Sequence, residues 1–444
     1  MASKKTNRAI KIKIIAFIIL AVICGVALIF TNPIEKALKI GNYATSASST
    51  AEVVNACGLK IHYINMGQAD ATLIELPDGT KMLIDAGKSK EEDGTQFFAY
   101  LQNDLKLSTL DYLILTHCDQ DHVGLMPDVL DKFEVKNIYR PFQIACSESG
   151  TAIDAEDLSP YVSTAKNITT KAYVKFIEKS YSETWFDSST NSNVEANVFL
   201  MHDNMRAGQA DIGSVNPQIE FSFEFYAPIT TGETLLTKAN QTIGKPVKIY
   251  KTNNNNASPI MLLTFLGQKF VFTGDAEKEV EADFLTRYKN DVVAKNAFKD
   301  VTVYKAGHHG SSTSSTAEFL AFINPTYTVV SCGKNNSYGH PSTEFLNRWE
   351  TQISSQGVSR KQDVPLRTDV NGTIIFGVTS ESEPVFISGV GASTFVMRWP
   401  YIVASVFLIG TIIIVIVRIN TKSGVKTAKN VYRATKRAKK LTSK

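Results

Sequence analysis

Cysteine is scarce in this 444-residue chain: there are five, with no pair at the short spacing of a zinc knuckle and no dense array. That excludes a thiolate metal module and a small disulfide scaffold. Cys24 falls in an apolar run, leaving Cys57, Cys118, Cys146 and Cys332; a bridge between Cys57 and Cys146 is compatible with an exported domain. Acidic residues are missing from both ends. Residues 1–13 hold Lys4, Lys5, Arg8, Lys11 and Lys13, and residues 418–444 hold ten more Lys/Arg, with no Asp or Glu in either. Setting those fifteen aside leaves 32 of the 47 basic residues against all 43 acidic ones, so the middle of the chain has a formal charge of −11 although the whole has +4.

Charge of either sign is missing from two long stretches. Ile14 to Phe30 is seventeen uncharged residues, about 26 Å of helix at about 1.5 Å per residue, enough to cross a bilayer. Trp399 to Val417 is the second, with Trp399 and Tyr401 placed as interfacial aromatics. A small-residue site at Ala44–Ala47 lies too far beyond the first run for a cleavable signal peptide, so an uncleaved anchor is expected. Basic flanks on both runs predict a two-pass cell-membrane protein with both termini cytoplasmic and the domain between them outside. The basic tail, 418–444, is expected against anionic lipid headgroups, with nucleic acid as its alternative partner.

Between the two runs, residues 31–57 are Ala/Ser/Thr-rich and read as a linker, and 58–390 as one folded domain. Leu59–Asn65, Ala71–Leu76 and Lys81–Asp85 alternate as strands, with Pro77-Asp-Gly79 turning the last two. Residues 94–107 carry helical spacing of Phe97, Tyr100, Leu101 and Leu105, followed by a buried strand, Leu110–Leu115. About 141–215 is rich in Ser, Thr and Asn and reads as an insertion or substrate-facing lid. Regularity returns in strands near 219–226, 259–265 and 269–275, a helix at 276–290, a strand at 301–306, a helix at 316–323 and a strand at 326–331. Such alternation predicts a layered α/β domain. Two similar β-rich halves, each followed by helices, suggest an internal pseudo-twofold.

The densest chemistry is Thr116-His-Cys-Asp-Gln-Asp-His122, at the end of a buried strand. His117, Asp119, Asp121 and His122 are four metal-competent side chains within six residues, a density that packing does not require. Five of the seven histidines lie at loop starts: His117, His122, His308 and His309 in Gly307-His-His-Gly-Ser311, and His340 in Tyr338-Gly-His-Pro341. His62 and His202 do not. Asp275 ends a strand in Thr273-Gly-Asp275, where a carboxylate can bridge two cations.

These residues resemble the metallo-β-lactamase fold superfamily, whose HxHxDH signature stands here as His117-Cys-Asp119-Gln-Asp121-His122, with Asp in the second histidine position. That substitution resembles the hydrolase domain of the competence protein ComEC. The likeness runs through Asn65-Met-Gly-Gln-Ala-Asp-Ala71, Leu83–Gly87, Thr273–Glu277, Gly307–Ser311, Asn335–Pro341 and Arg367-Thr-Asp369 with Asn371-Gly372. It implies a four-layer αβ/βα sandwich, here flanked by the two transmembrane helices, with two metals at the open edge between the sheets. The family's histidine between the signature and the bridging Asp has no counterpart; His202 is the only candidate and its context does not match, while Asn256-Ala-Ser258 occupies that part of the chain.

The ligand set predicts two divalent ions, Zn or Mn, because an Asp-rich site is harder than an ordinary zinc site. His117 and Asp119 are assigned to one ion, Asp121 and His122 to the other, Asp275 to both, and one of His308 and His309, taken as His308, to the shell. Asp121, His309 and His340 are the catalytic candidates, Ser311 and Asn336 the substrate contacts, and Asp85 a carboxylate behind the ligands. The expected activity is hydrolysis of a phosphodiester by metal-activated hydroxide, in DNA or in a surface polymer. The alternative is a non-catalytic membrane assembly or DNA-uptake accessory protein that retains the fold. Hydrolysis of β-lactams fits least.

Overall fold

The computed structural model describes residues 57–88, 91–147, 153, 158, 167–206, 221–238, 241–355, 364–379, 384–390 and 429–435. The chain divides into two compact units, Ala44–Ser393 and Met1–Tyr43 with Thr394–Lys444. In the latter only 429–435 is described, an exposed helical segment.

Two mixed sheets form the centre of the larger unit. From edge to edge the first contains Asn197–Leu200, Glu134–Arg140, Thr109–Ile114, Lys81–Ile84, Thr72–Glu75, Leu59–Tyr63, Thr373–Val378 and Pro384–Val390. The second contains Met205–Arg206, Phe221–Ala227, Ile260–Phe265, Gln268–Phe272, Val303–Lys305, Tyr327–Val330 and Leu366–Arg367. Each sheet passes from an antiparallel half to a parallel one, at Lys81–Ile84 beside Thr109–Ile114 and at Gln268–Phe272 beside Val303–Lys305. The parallel strands end in the loops that carry the candidate ligands, the usual place for a site in an open α/β sheet.

Period-two alternation in the strands makes the four layers. Ile61, Ile74 and Met82 face a common core with Phe223, Met261, Leu263 and Phe270 of the opposite sheet. Their neighbours Leu73 and Leu83 point the other way, into a second core under the helices Glu91–Ala99, Met126–Lys132 and Lys171–Ser180. A third core packs the second sheet against Lys278–Tyr288, Val292–Phe298, Ala317–Ile323 and Thr343–Ser355. This is the expected αβ/βα sandwich. The helix expected over 94–107 begins at Glu91 and widens into a π-helical turn at Tyr100–Asp104.

The expectation of flanking transmembrane helices needs correcting. Among the described residues no helix is long and apolar enough to cross a membrane, and the runs 14–30 and 399–417 lie outside those residues. The fold of the described residues is the sandwich. The stretch read as an insertion or lid, about 141–215, supplies an edge strand to each sheet and the helix Lys171–Ser180, which buries Tyr173, Phe176 and Ile177. Cys57, Cys118, Cys146 and Cys332 are buried thiols, and the bridge admitted between Cys57 and Cys146 is not formed.

Candidate metal centre

Loops of the two sheets come close where Gly274 lies against Thr116. Gly274 has φ 49°, and a Cβ there would fall 2.7 Å from Thr116 Cβ. Only glycine lets the loop of Asp275 reach the HCDQDH loop. On the far side Gly307-His-His-Gly310 makes a tight turn with His308 and His309 both left-handed, at φ 46° and 53°. That conformation costs about 1–2 kcal/mol per non-glycine residue, and strain of this kind gathers at functional sites.

Three imidazoles share one arrangement, with Nδ1 held from outside and Nε2 turned inward. His122 donates from Nδ1 to Asp85 Oδ2 at 2.7 Å, and its Nε2 is 3.2 Å from Asp275 Oδ1. His309 donates from Nδ1 to the Ser331 carbonyl at 2.9 Å, and its Nε2 is 3.4 Å from Asp121 Oδ2 and 3.5 Å from Asp275 Oδ2. His117 has Nδ1 between the hydroxyls of Thr116 and Ser258 at 3.1 and 3.3 Å, with Nε2 3.8 Å from Asp119 Oδ2. The Nε2 atoms of all three, with Asp275 Oδ1 and Asp70 Oδ1, are buried and have no hydrogen-bond partner. Buried polar atoms are nearly always satisfied, so five converging orphans of metal-ligand type fit divalent cations. Ligand atoms of Asp70, His122, Asp275 and His309 all lie within 4.8 Å of one another.

The electrostatics of the cluster agree with that donor set. Burial disfavours the charged forms, yet the Asp275 and Asp85 carboxylates raise His122 well above an ordinary histidine. His309 is raised against burial by Asp275 and Asp70. Asp275 is held well below the carboxylate range, against burial, by His122 and His309. Burial and the neighbouring His122 lower His117. The carboxylates thus favour positive charge at His122 and His309, a place that a bound cation would take.

The other expected residues surround this group. Asp85, at φ 58°, takes the Thr116 amide on Oδ1 and the Thr116 hydroxyl on Oδ2, both at 2.8 Å, and so stands directly behind His122. His308 differs from His309: its side chain is 22% exposed and its Nδ1 donates to Glu277 Oε1 at 2.9 Å. His309, the more deeply buried of the two, lies within the ligand cluster, whereas His308, expected at the metal, sits on its more exposed side with Nε2 3.7 Å from Asp275 Oδ2. His340 lies at the rim, its ring 5.3 Å from that of His308. Burial, then the neighbouring His309 and His308, lower its pKa to about 4.

Asn336 is not presented to a substrate. Its amide donates to the carbonyls of Gly333 and His340 and accepts from the His340 N–H, bracing its own loop. Ser311 is buried, with its hydroxyl paired to that of Thr313 at 2.9 Å. His202 is remote from the cluster, with Nδ1 donating to the Asp203 carbonyl.

Sequence reasoning passed over Asp70, Lys305 and Glu277. Asp70 and Glu277 lie inside quoted motifs and Lys305 ends a strand, but their partners are set by the tertiary fold. Glu277 Oε1 also takes the Asn255 amide and Oε2 the Asn253 amide. Hydrogen bonds from His308, Asn255 and Thr313 hold Glu277 at about 2 against the effect of its burial.

Residues 64–145, which contain Asp70, Asp85 and the whole HCDQDH segment, match the family model of the metallo-beta-lactamase superfamily. Over those residues the chain is similar to the metallo-beta-lactamase superfamily. Curated relatives are similar to part of this chain. "ComE operon protein 3" of Bacillus subtilis is 34% identical over 122 residues, which are 28% of this chain and 14% of that protein. "Competence protein ComA" of Neisseria gonorrhoeae is 31% identical over 134 residues, 30% of this chain and 17% of that protein. The chain thus spans less than a fifth of the length of these relatives, and the likeness to these ComEC-like proteins is confined to that part. Among solved structures, Igni18, a metallo hydrolase from Ignicoccus hospitalis, is 14% identical over 74% of this chain and 98% of its own, with a TM-score of 0.33, too loose a likeness to bear on function.

Proposed function

We propose that the domain is a two-metal phosphodiesterase. The observation that carries this reading is the set of inward, unpartnered Nε2 atoms of His117, His122 and His309 around Asp275. One ion would be held by His117, Asp119 and Asp275, the other by Asp121, His122, His309 and the shared Asp275. Bound cations supply Lewis-acid activation of a water and neutralise charge on the phosphoryl oxygens.

The chain's own residues do the rest. Asp85, Ser331 and the Thr116 hydroxyl fix the tautomers of the three ligand imidazoles through Nδ1. His308, gripped at Nδ1 by Glu277, directs its other nitrogen to the centre and protonates the leaving oxygen. His340, mostly neutral at neutral pH, orients the substrate from the rim as a hydrogen-bonding group.

The relatives named as competence proteins favour DNA as the phosphodiester. The formal charge of −11 between the basic tails favours a second reading, a phosphodiester in a surface polymer, because duplex binding needs clustered Lys/Arg to displace counterions. The extracytoplasmic placement rests on the charge pattern of the sequence alone.

Full-length protein loaded with Mn²⁺ or Zn²⁺ and offered single-stranded DNA and a teichoic-acid-like polymer separates the two. Cleavage of the DNA supports the first reading, and cleavage of only the polymer supports the second. Failure on both and on bis-p-nitrophenyl phosphate would overturn the phosphodiesterase reading.

A further inference from the structure

The sequence contains four consecutive asparagines, Asn253 to Asn256, just before the strand Ile260–Phe265. Three of them hold the loop in place. Asn253 donates to Glu277 Oε2 at 2.8 Å and accepts from the Asn255 amide N–H at 3.0 Å. Asn255 donates to Glu277 Oε1 at 3.1 Å. Asn256 donates to Glu279 at 3.2 Å and accepts from the Glu277 N–H at 3.1 Å.

Asn254 is different. Its Nδ2 donates to Asp119 Oδ1 at 2.7 Å, which puts its amide against an expected ligand of the first ion. Its Oδ1 is buried with no partner, although a buried amide oxygen left unpaired is costly. The backbone fixes it there: its carbonyl accepts from Gln143 Nε2 at 3.3 Å, and Gln143 Oε1 accepts from the Cys118 N–H at 2.9 Å. One glutamine thus clamps residue 254 to the HCDQDH loop. The donors assigned above to the first ion are three, His117, Asp119 and Asp275, whereas the second has four.

We propose that Asn254 Oδ1 is the fourth donor to the first ion. This rests on the two-metal reading and deepens it. An amide oxygen beside two carboxylates and one imidazole makes that position a hard, oxygen-rich one, suited to Mn²⁺ more than to Zn²⁺.

The test uses full-length protein stripped with chelator and reloaded with Mn²⁺. Bound ions per chain are counted, and low-temperature electron paramagnetic resonance distinguishes an exchange-coupled pair from an isolated six-line ion. Metal-free unfolding of each variant checks the fold. Wild type is expected to bind two coupled ions. Asn254→Ala should lose one, or bind it at least about tenfold more weakly, with the coupled signal replaced by the isolated one. Asn254→Asp, which keeps an oxygen donor, should retain the pair. Two tightly bound ions in Asn254→Ala would overturn the inference and leave the two-metal reading intact; the oxygen would then serve a water in the adjacent cavity of about 20 Å³ lined by Phe142, Gln143 and Asn254. Loss of the pair in Asn254→Asp would also overturn it, because the donation to Asp119 would then be what matters. If Asn254→Ala does not fold, Asn254→Asp decides alone by the same criterion. A wild type that never binds a second ion overturns the two-metal reading, and this inference with it.

Discussion

Lys305 Nζ and Asp70 Oδ2 form a 2.6 Å ion pair between residues 235 apart in sequence, with both side chains about 95% buried or more. Lys305 ends a strand of the second sheet, four residues before His309. Asp70 sits ahead of a strand of the first sheet and donates its amide N–H to the Asp121 carbonyl. The pair therefore sets the distance between ligands carried by different sheets.

Removing one partner strands a buried charge. Lys305→Met should destabilise the metal-free protein by about 3–5 kcal/mol, whereas Lys305→Met with Asp70→Leu should recover most of that loss. Urea unfolding in the presence of chelator measures both. A double variant as unstable as the single one would contradict the argument.

Asp85 holds His122 through Nδ1 and would act through it on a bound cation. Asp85→Asn should lower metal affinity about 10–100-fold. Competition with a chromophoric chelator reads the change, and an affinity equal to wild type would remove Asp85 from the site.

The two adjacent histidines should separate by phenotype. His309→Ala is expected to lose a metal ion. His308→Ala is expected to keep both while turnover falls about 10²–10⁴-fold, and Glu277→Gln should follow His308→Ala in direction. The reverse pattern, metal loss in His308→Ala only, would restore the opposite assignment.

Away from the site, Glu75 provides a pH-dependent contact. Burial raises its pKa, but hydrogen bonds from His62 at 3.0 Å and Lys81 at 2.9 Å outweigh this and bring it to about 2, against 4.5 for a free glutamate. Its folded pKa is the lower one, so the stability it contributes is present above about pH 4.5 and lost as pH falls towards 2. The gap in melting temperature between wild type and Glu75→Gln should close over that range. A gap that stays constant would show that Glu75 is not charged in the contact.

The sandwich was legible because strands such as Lys81–Ile84 and Thr109–Ile114 carry their apolar pattern locally and end in motif loops. The motif loops that bring His122, Asp121 and Asp275 together were legible for the same reason. The choice between His308 and His309 was not, because their side chains diverge only through a left-handed turn that no spacing rule encodes. Glu277, Lys305 and Asp70 were missed because each acts through a partner brought near by the fold. Asn336 looked available in sequence, yet its amide is committed to its own loop.

The most direct test of the account is hydrolysis of bis-p-nitrophenyl phosphate by full-length protein, stripped with chelator and then reloaded with Mn²⁺ or Zn²⁺. The expected result is activity lost on stripping, restored on reloading, and absent from Asp275→Asn at any metal concentration. Turnover that survives both the chelator and Asp275→Asn, or no turnover by the metal-loaded wild type, would contradict a metal-dependent phosphodiesterase built around Asp275.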